Sequence, residues 1–144
     1  MKIMQLVTAE MADKMPYSLD ITDYDAPIVG KFFHPFSNLR LYVVGACPVD
    51  EDGYGFKMKG MRPLSKRNMA KNLTLRHPEY GIPKDIYFRC FITNDAQNTY
   101  EWGNITMEQL TTLADLPMRL PMERDKSFGV NQYTVRDIIN KVTY

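Results

Sequence analysis

Asp85-Ile86-Tyr87-Phe88-Arg89-Cys90-Phe91-Ile92-Thr93 (DIYFRCFIT) is the stretch on which the fold turns. It is rich in aromatic and β-branched residues. Ile86, Phe88, Cys90 and Ile92 occupy alternate positions, which places all four on one face of a strand. Just downstream, Asn94–Asn98 is a loop of turn-forming residues, and Thr99–Ile105, with the single Trp102, returns as a partner strand. Upstream, Pro27–His34 (PIVGKFFH) and Leu39–Cys47 (LRLYVVGAC) form a second antiparallel pair through the turn His34–Asn38. Lys2–Val7 reads as a strand or extended lead-in, Tyr17–Asp25 as a loop, and Asp50–Gly53 as another turn. Phe56–Met61 reads as a short strand.

Helices fit between these strands. Thr8 caps Ala9–Met15, which Pro16 stops, and Ser65 caps a helix reaching about Arg76. Thr106-x-x-Gln109 is a capping box opening Met107–Leu116. Pro117 and Pro121 bracket a stiff extended segment, and Thr134 caps a last helix, Val135–Val142. Strands joined by turns, with helices set apart from them, predict an α+β fold. The expectation is a single domain over 1–144, with an antiparallel sheet of four to five strands and about four short helices. A basic, insertion-like segment falls at about 54–78.

The bulk composition agrees with such a core. Of 144 residues, 44% are hydrophobic and 24% charged, which excludes a disordered chain. No apolar run approaches the roughly 20 residues a bilayer span needs, so no membrane is expected. Cys47 and Cys90 stand far apart in apolar surroundings, which predicts two buried free thiols. His34 and His77 are the only histidines and no CxxC occurs, so neither a metal nor a cofactor is expected. The start MKIMQLVTAEM has an apolar run too short for a secretory signal, which points to a soluble, cytoplasmic protein.

A formal net charge of +1 conceals a segregation. Residues 1–52 carry four basic and eight acidic side chains, and residues 78–144 carry seven and nine. Between them, Lys57, Lys59, Arg62, Lys66, Arg67, Lys71 and Arg76 stand without an acid from 53 to 77. Such a block sets up a local positive potential that the total cannot report. It suits an acidic protein surface or nucleic acid. Tyr54 and Phe56 border it, with Tyr80 and Tyr87 beyond, and interleaved aromatics suit stacking on bases as well as they suit a core. The acidic run Asp50-Glu51-Asp52 is placed to neutralise it, and the block then reads as a solvated helix face.

Catalytic templates find little. Phosphate loops, nucleophile elbows and zinc-protease motifs are missing, and the Asp50 run lacks most ligands of a calcium loop. Cys47 with His34 is a nucleophile–base pair only if the strands bring them together. Glu123, Arg124 and Asp125 form the densest polar cluster outside the basic block. Two carboxylates around a guanidinium, with His34 as a further member, suit acid–base work; the alternative is a turn tied by its own ion pair.

Several of these stretches taken together, LVTAEMADKMP (6–16), IVGKFFHPFS (28–37), DEDG (50–53), NITMEQLTTL (104–113) and LPMERDKSF (120–128), carry a resemblance. The chain resembles a domain-of-unknown-function family of short proteins carried by plasmids, integrative elements and phages. Its members share a KFF-P strand-turn, here Lys31–Pro35, and LPxERDxxF, here Leu120–Phe128. The resemblance covers residues 4–53 and 99–128. Leu39-Arg40-Leu41-Tyr42 departs from the family's Trp-rich strand, and Tyr54–Tyr100 has no counterpart.

The resemblance implies genetic company rather than a mechanism. With the basic block, it yields the leading expectation of a non-enzymatic binding protein of a mobile genetic element or phage. More narrowly, that is a counter-defence factor, anti-restriction or anti-CRISPR, acting on a host protein with an acidic surface. The alternatives are direct DNA or RNA binding through 57–76, and a small enzyme built on Glu123, Arg124 and Asp125. The oligomeric state stays open.

Overall fold

The computed structural model describes residues 6–16, 18–48 and 86–140. They form one five-stranded antiparallel sheet with three short α-helices, an α+β arrangement. In chain order the elements are α1 (Ala9–Lys14), β1 (Gly30–Phe33), β2 (Leu39–Pro48), β3 (Ile86–Asn94), β4 (Thr99–Thr106), α2 (Met107–Thr111), β5 (Glu123–Arg124) and α3 (Val135–Ile139). The strand order is β4-β3-β2-β1-β5: four consecutive strands form a meander, and β5 crosses over to cover the far side of β1. The expected turn at Asp50–Gly53, strand at Phe56–Met61 and helix at Ser65–Arg76 lie outside the described residues. So does most of the N-terminal lead-in. Among the described residues no helix is long and apolar enough to cross a membrane.

Alternation along β3 divides the core in two. Phe88 and Cys90 are fully buried on one face with Phe32, Leu41 and Val43, and Ile92 packs against them. Met11 and Ala12 of α1, with Met15 just beyond its end, cover this face together with Met107 and Leu110 of α2. Phe91 points the other way, into a second cluster with Ile28, Tyr42, Val44, Phe128 and Val135, the buried residue of α3. The register of β2 on β3 slips by one at Val43/Gly45. Val43 and Val44 enter opposite cores as strand neighbours do, both fully buried, and the bulge resets the alternation so that Ala46 returns to the face of Val43. Gly45 follows because the chain returns against it: Pro16 accepts a hydrogen bond from the Ala46 amide at 3.0 Å, and a Cβ on residue 45 would strike the Ser18 carbonyl.

The helix starts follow the expected caps. Thr8 Oγ1 accepts from the Met11 amide at 3.2 Å. Thr106 Oγ1 accepts from the Gln109 amide at 3.0 Å, while Gln109 Oε1 accepts from the Thr106 amide at 2.8 Å. Thr134 and Asp137 form a second capping box on α3. Three expectations need correction. The last helix, expected over Val135–Val142, ends at Ile139, with Asn140 as its C-cap. The helix expected over Met107–Leu116 stops at Thr111, because Thr112 takes extended backbone and bonds Glu108 O through both its amide and its hydroxyl. The segment between Pro117 and Pro121 is not extended. Pro117–Arg119 is a 3₁₀ turn in which Met118 and Arg119 adopt left-handed φ of 55° and 53°.

Candidate functional site

Of the residues nominated for chemistry within the described chain, His34, Glu123, Arg124 and Asp125 gather at the β1–β5 edge. Glu123 pairs with Phe33 and Arg124 with Phe32, so the first two residues of the ERD cluster form a strand and only Asp125 enters a turn, where the alternative reading expected all three in one. Asp125 continues the pairing by donating its amide to Lys31 O at 2.9 Å. Its carboxylate lies 3.5 Å from Lys31 Nζ, with side chains only 8% (Lys31) and 19% (Asp125) exposed. The same carboxylate accepts from the Ser127 amide at 3.0 Å and the Ser127 hydroxyl at 2.7 Å. The Lys31 ammonium lies 5.6 Å from the centre of the Tyr42 ring.

Burial pushes the Asp125 carboxyl up, but the two Ser127 hydrogen bonds and the Lys31 charge outweigh it and hold it below its ordinary value. Burial is also the largest influence on Lys31 and lowers it, only partly offset by Asp125. The two partners therefore both shift down, as expected where a lysine loses more water than its neighbour restores in charge. Asp125 is committed to holding a turn and neutralising a buried cation.

His34 is committed as well. It is 2% exposed, receives the Phe36 amide on Nδ1 at 3.0 Å, and donates from Nε2 to the Leu120 carbonyl at 2.9 Å. Because Nδ1 accepts a backbone N–H, the proton sits on Nε2. Both nitrogens are spent on joining the β1–β2 turn to the segment leading into β5. Cys47 gives His34 no nucleophile: it pairs with Tyr87 near the far end of β2, seven residues beyond Arg40, the partner of Phe33. At strand rise that is roughly 20 Å from the His34 end.

Two depressions adjoin the cluster. An open one is lined by Phe33 and Glu123–Ser127. The other, of about 240 Å³, lies between Thr8, Glu10, Met11, Gly30 and Arg124–Lys126. Arg124 and Lys126 line both, set among Glu10, Glu123 and Asp125, while His34 lines neither. A substrate there would meet mixed charge, with Asp125 already held by Lys31 and Ser127 and with His34 outside both linings. Among the described residues no group of three or more His, Cys, Asp and Glu gathers as metal ligands would.

Lys57, Lys59, Arg62, Lys66, Arg67, Lys71 and Arg76, with Tyr54 and Phe56, lie outside the described residues. What the sheet does place are their two flanks, since Pro48 and Ile86 are register partners at the end of the β2–β3 ladder. An aromatic ledge lies on the α3 side of β3 and β4, where the sequence had not singled out a site. Phe91 stacks on Tyr100 at 5.8 Å and meets Trp102 edge-on at 5.0 Å. Tyr24 closes on Trp102 at 6.1 Å, and the Arg89 guanidinium covers the Trp102 ring at 5.3 Å. Alternation of Tyr100 and Trp102 was the available signal for a shared face; the arrival of Tyr24 from a loop has none.

Comparison of the chain with protein-family models, curated proteins and solved structures finds no match.

Proposed function

We propose that the protein is a non-enzymatic binding protein of a mobile genetic element or phage. More narrowly, it is a counter-defence factor, anti-restriction or anti-CRISPR, acting in the host cytoplasm on a protein with an acidic surface. One observation carries this reading: seven Lys and Arg between residues 57 and 76 with no acid among them, on a chain whose other parts are net acidic. The paired strands support it by anchoring both flanks of that segment at neighbouring positions, Pro48 and Ile86. The commitments of His34 and Asp125 to backbone and ion-pair contacts favour binding over acid–base chemistry.

The test reverses charge at Lys66, Arg67 and Lys71 by substitution to Glu. Host lysate is passed over the tagged wild type and variant, with and without nuclease, at low and high salt. A nuclease-resistant catch that weakens with salt, and that the reversal lowers by about tenfold or more, supports the reading. A catch abolished by nuclease moves the assignment to nucleic acid, whose binding falls steeply with salt through counterion release. Binding untouched by the reversal removes the basic segment from the interface.

A further inference from the structure

The two edges of the sheet are unequal. β5 is two residues long and runs directly into the Asp125–Ser127 turn. β4 is eight residues long, and its pairing with β3 runs from Asn94↔Thr99 to Tyr87↔Thr106 without a break. Among the described residues no strand covers its outer side. An open edge presents a row of backbone donors and acceptors, and proteins usually blunt it with proline, lysine, a bulge or a short strand. β4 (TYEWGNIT) has none of these, and its one charge is Glu101.

We infer that the β4 edge is an interface with a second copy of this chain, paired antiparallel about a two-fold axis at Gly103 to give a continuous ten-stranded sheet. The side-chain pattern is self-complementary about Gly103, which favours a second copy over an unrelated strand. A two-fold perpendicular to the sheet keeps each face with its own kind, so facing residues must have the same parity. Centred on Gly103, the pairing sets Trp102 against Asn104 of the second copy and Tyr100 against Thr106, bulky against small, each pair formed twice. Tyr100, 43% exposed and stacked on Phe91, gains cover on its open side.

On the other face Glu101 meets Ile105, and the two Gly103 residues meet at the axis. The two Glu101 carboxylates stand four positions apart, roughly 13 Å, beyond the screening length at ordinary salt. A register centred on Glu101 would instead oppose like charges directly.

Sedimentation equilibrium of the full chain tests this. The wild type should have the mass of two chains at micromolar concentration. Substitution of the exposed Glu101→Lys and Asn104→Lys should raise the dimer dissociation constant by about tenfold or more, with an unchanged far-ultraviolet spectrum. The register has its own readout. Residues facing across an antiparallel pair have Cα atoms about 4.5–5.5 Å apart, within disulfide reach. Gly103→Cys should therefore form a reducible dimer under mild oxidation where the wild type, with its own two cysteines, does not. The Cβ that this adds approaches only the tip of Ile92, which can turn aside. A wild type that stays monomeric at 100 μM (about a hundredfold above the expected range), a dimer indifferent to the two lysines, or no cross-link at 103 overturns the inference.

Discussion

His34 shows how a residue with catalytic chemistry can be spent on architecture. Its ring joins two segments 86 residues apart in sequence, with Nε2 on Leu120 O and Nδ1 on the Phe36 amide. Sequence could say only that a histidine stood beside a strand-ending proline, because both partners are backbone groups that carry no side-chain signature. Truncation to alanine would leave a carbonyl and an amide without this partner in a part-buried place, and each such loss costs about 1–3 kcal/mol. His34→Ala should therefore lower the unfolding free energy by about 2–4 kcal/mol in urea titration. A loss below about 1 kcal/mol would show that water replaces both bonds. Asp125 was legible as polar but not as a partner for Lys31, because the ion pair depends on β5 lying beside β1.

Elements were readable where a single period or cap governed them. β3 and β4 follow from alternation, and all three helix starts follow from threonine caps. Elements were missed where backbone pairing or strain governed them. β5 is too short for a period, α2 ends where Thr112 turns its hydroxyl back on Glu108, and Met118 and Arg119 take left-handed backbone that costs roughly 1–2 kcal/mol per residue. The bulge at Val44 belongs to the same class, and it carries an element-scale prediction. Gly45 lets the Pro16 and Ser18 carbonyls lie against β2, so Gly45→Ala must push backbone as well as a flexible side chain. The variant should lose about 1–3 kcal/mol of stability, with weakened amide protection at Ala46, whose donor bond to Pro16 O it disturbs. Protection at Ala46 equal to that of the wild type would mean that the crossing segment simply moves away.

For the whole molecule, burial of ionisable groups in the two cores sets the pH range of the fold. Burial pushes the Cys90 thiol up to about 12 from 9.0, and the Tyr42 hydroxyl up to about 12 from 10.0. A raised folded value means that the unfolded chain releases its proton first. Stability is then complete below the unfolded value and falls as pH climbs towards the folded one. Cys90 alone therefore begins to erode the fold above pH 9, and Tyr42 joins above pH 10. Lys31 acts oppositely: its lowered value makes stability rise with pH up to about 10.5, so it offsets part of the loss. On the acid side Asp125, held low, contributes stability above the usual carboxylate value of about 4 and surrenders it as pH falls through its own. Replacing Cys90 with alanine separates the alkaline contributions, because it removes the earliest-titrating of these groups while leaving Tyr42 and Lys31 in place. Below pH 9 the variant should be less stable than the wild type by a constant amount, from the volume lost in the core that Cys90 shares with Phe88 and Phe32. Above pH 9 the gap should close, by up to a factor of ten in the unfolding equilibrium per pH unit, since only the wild type must keep a neutral thiol. Denaturant titrations of both proteins between pH 7 and pH 10.5 measure that gap directly. A gap that stays constant across this range would mean that the thiolate forms in the folded chain as readily as in the unfolded one, and that the core on the α1–α2 face admits water to Cys90.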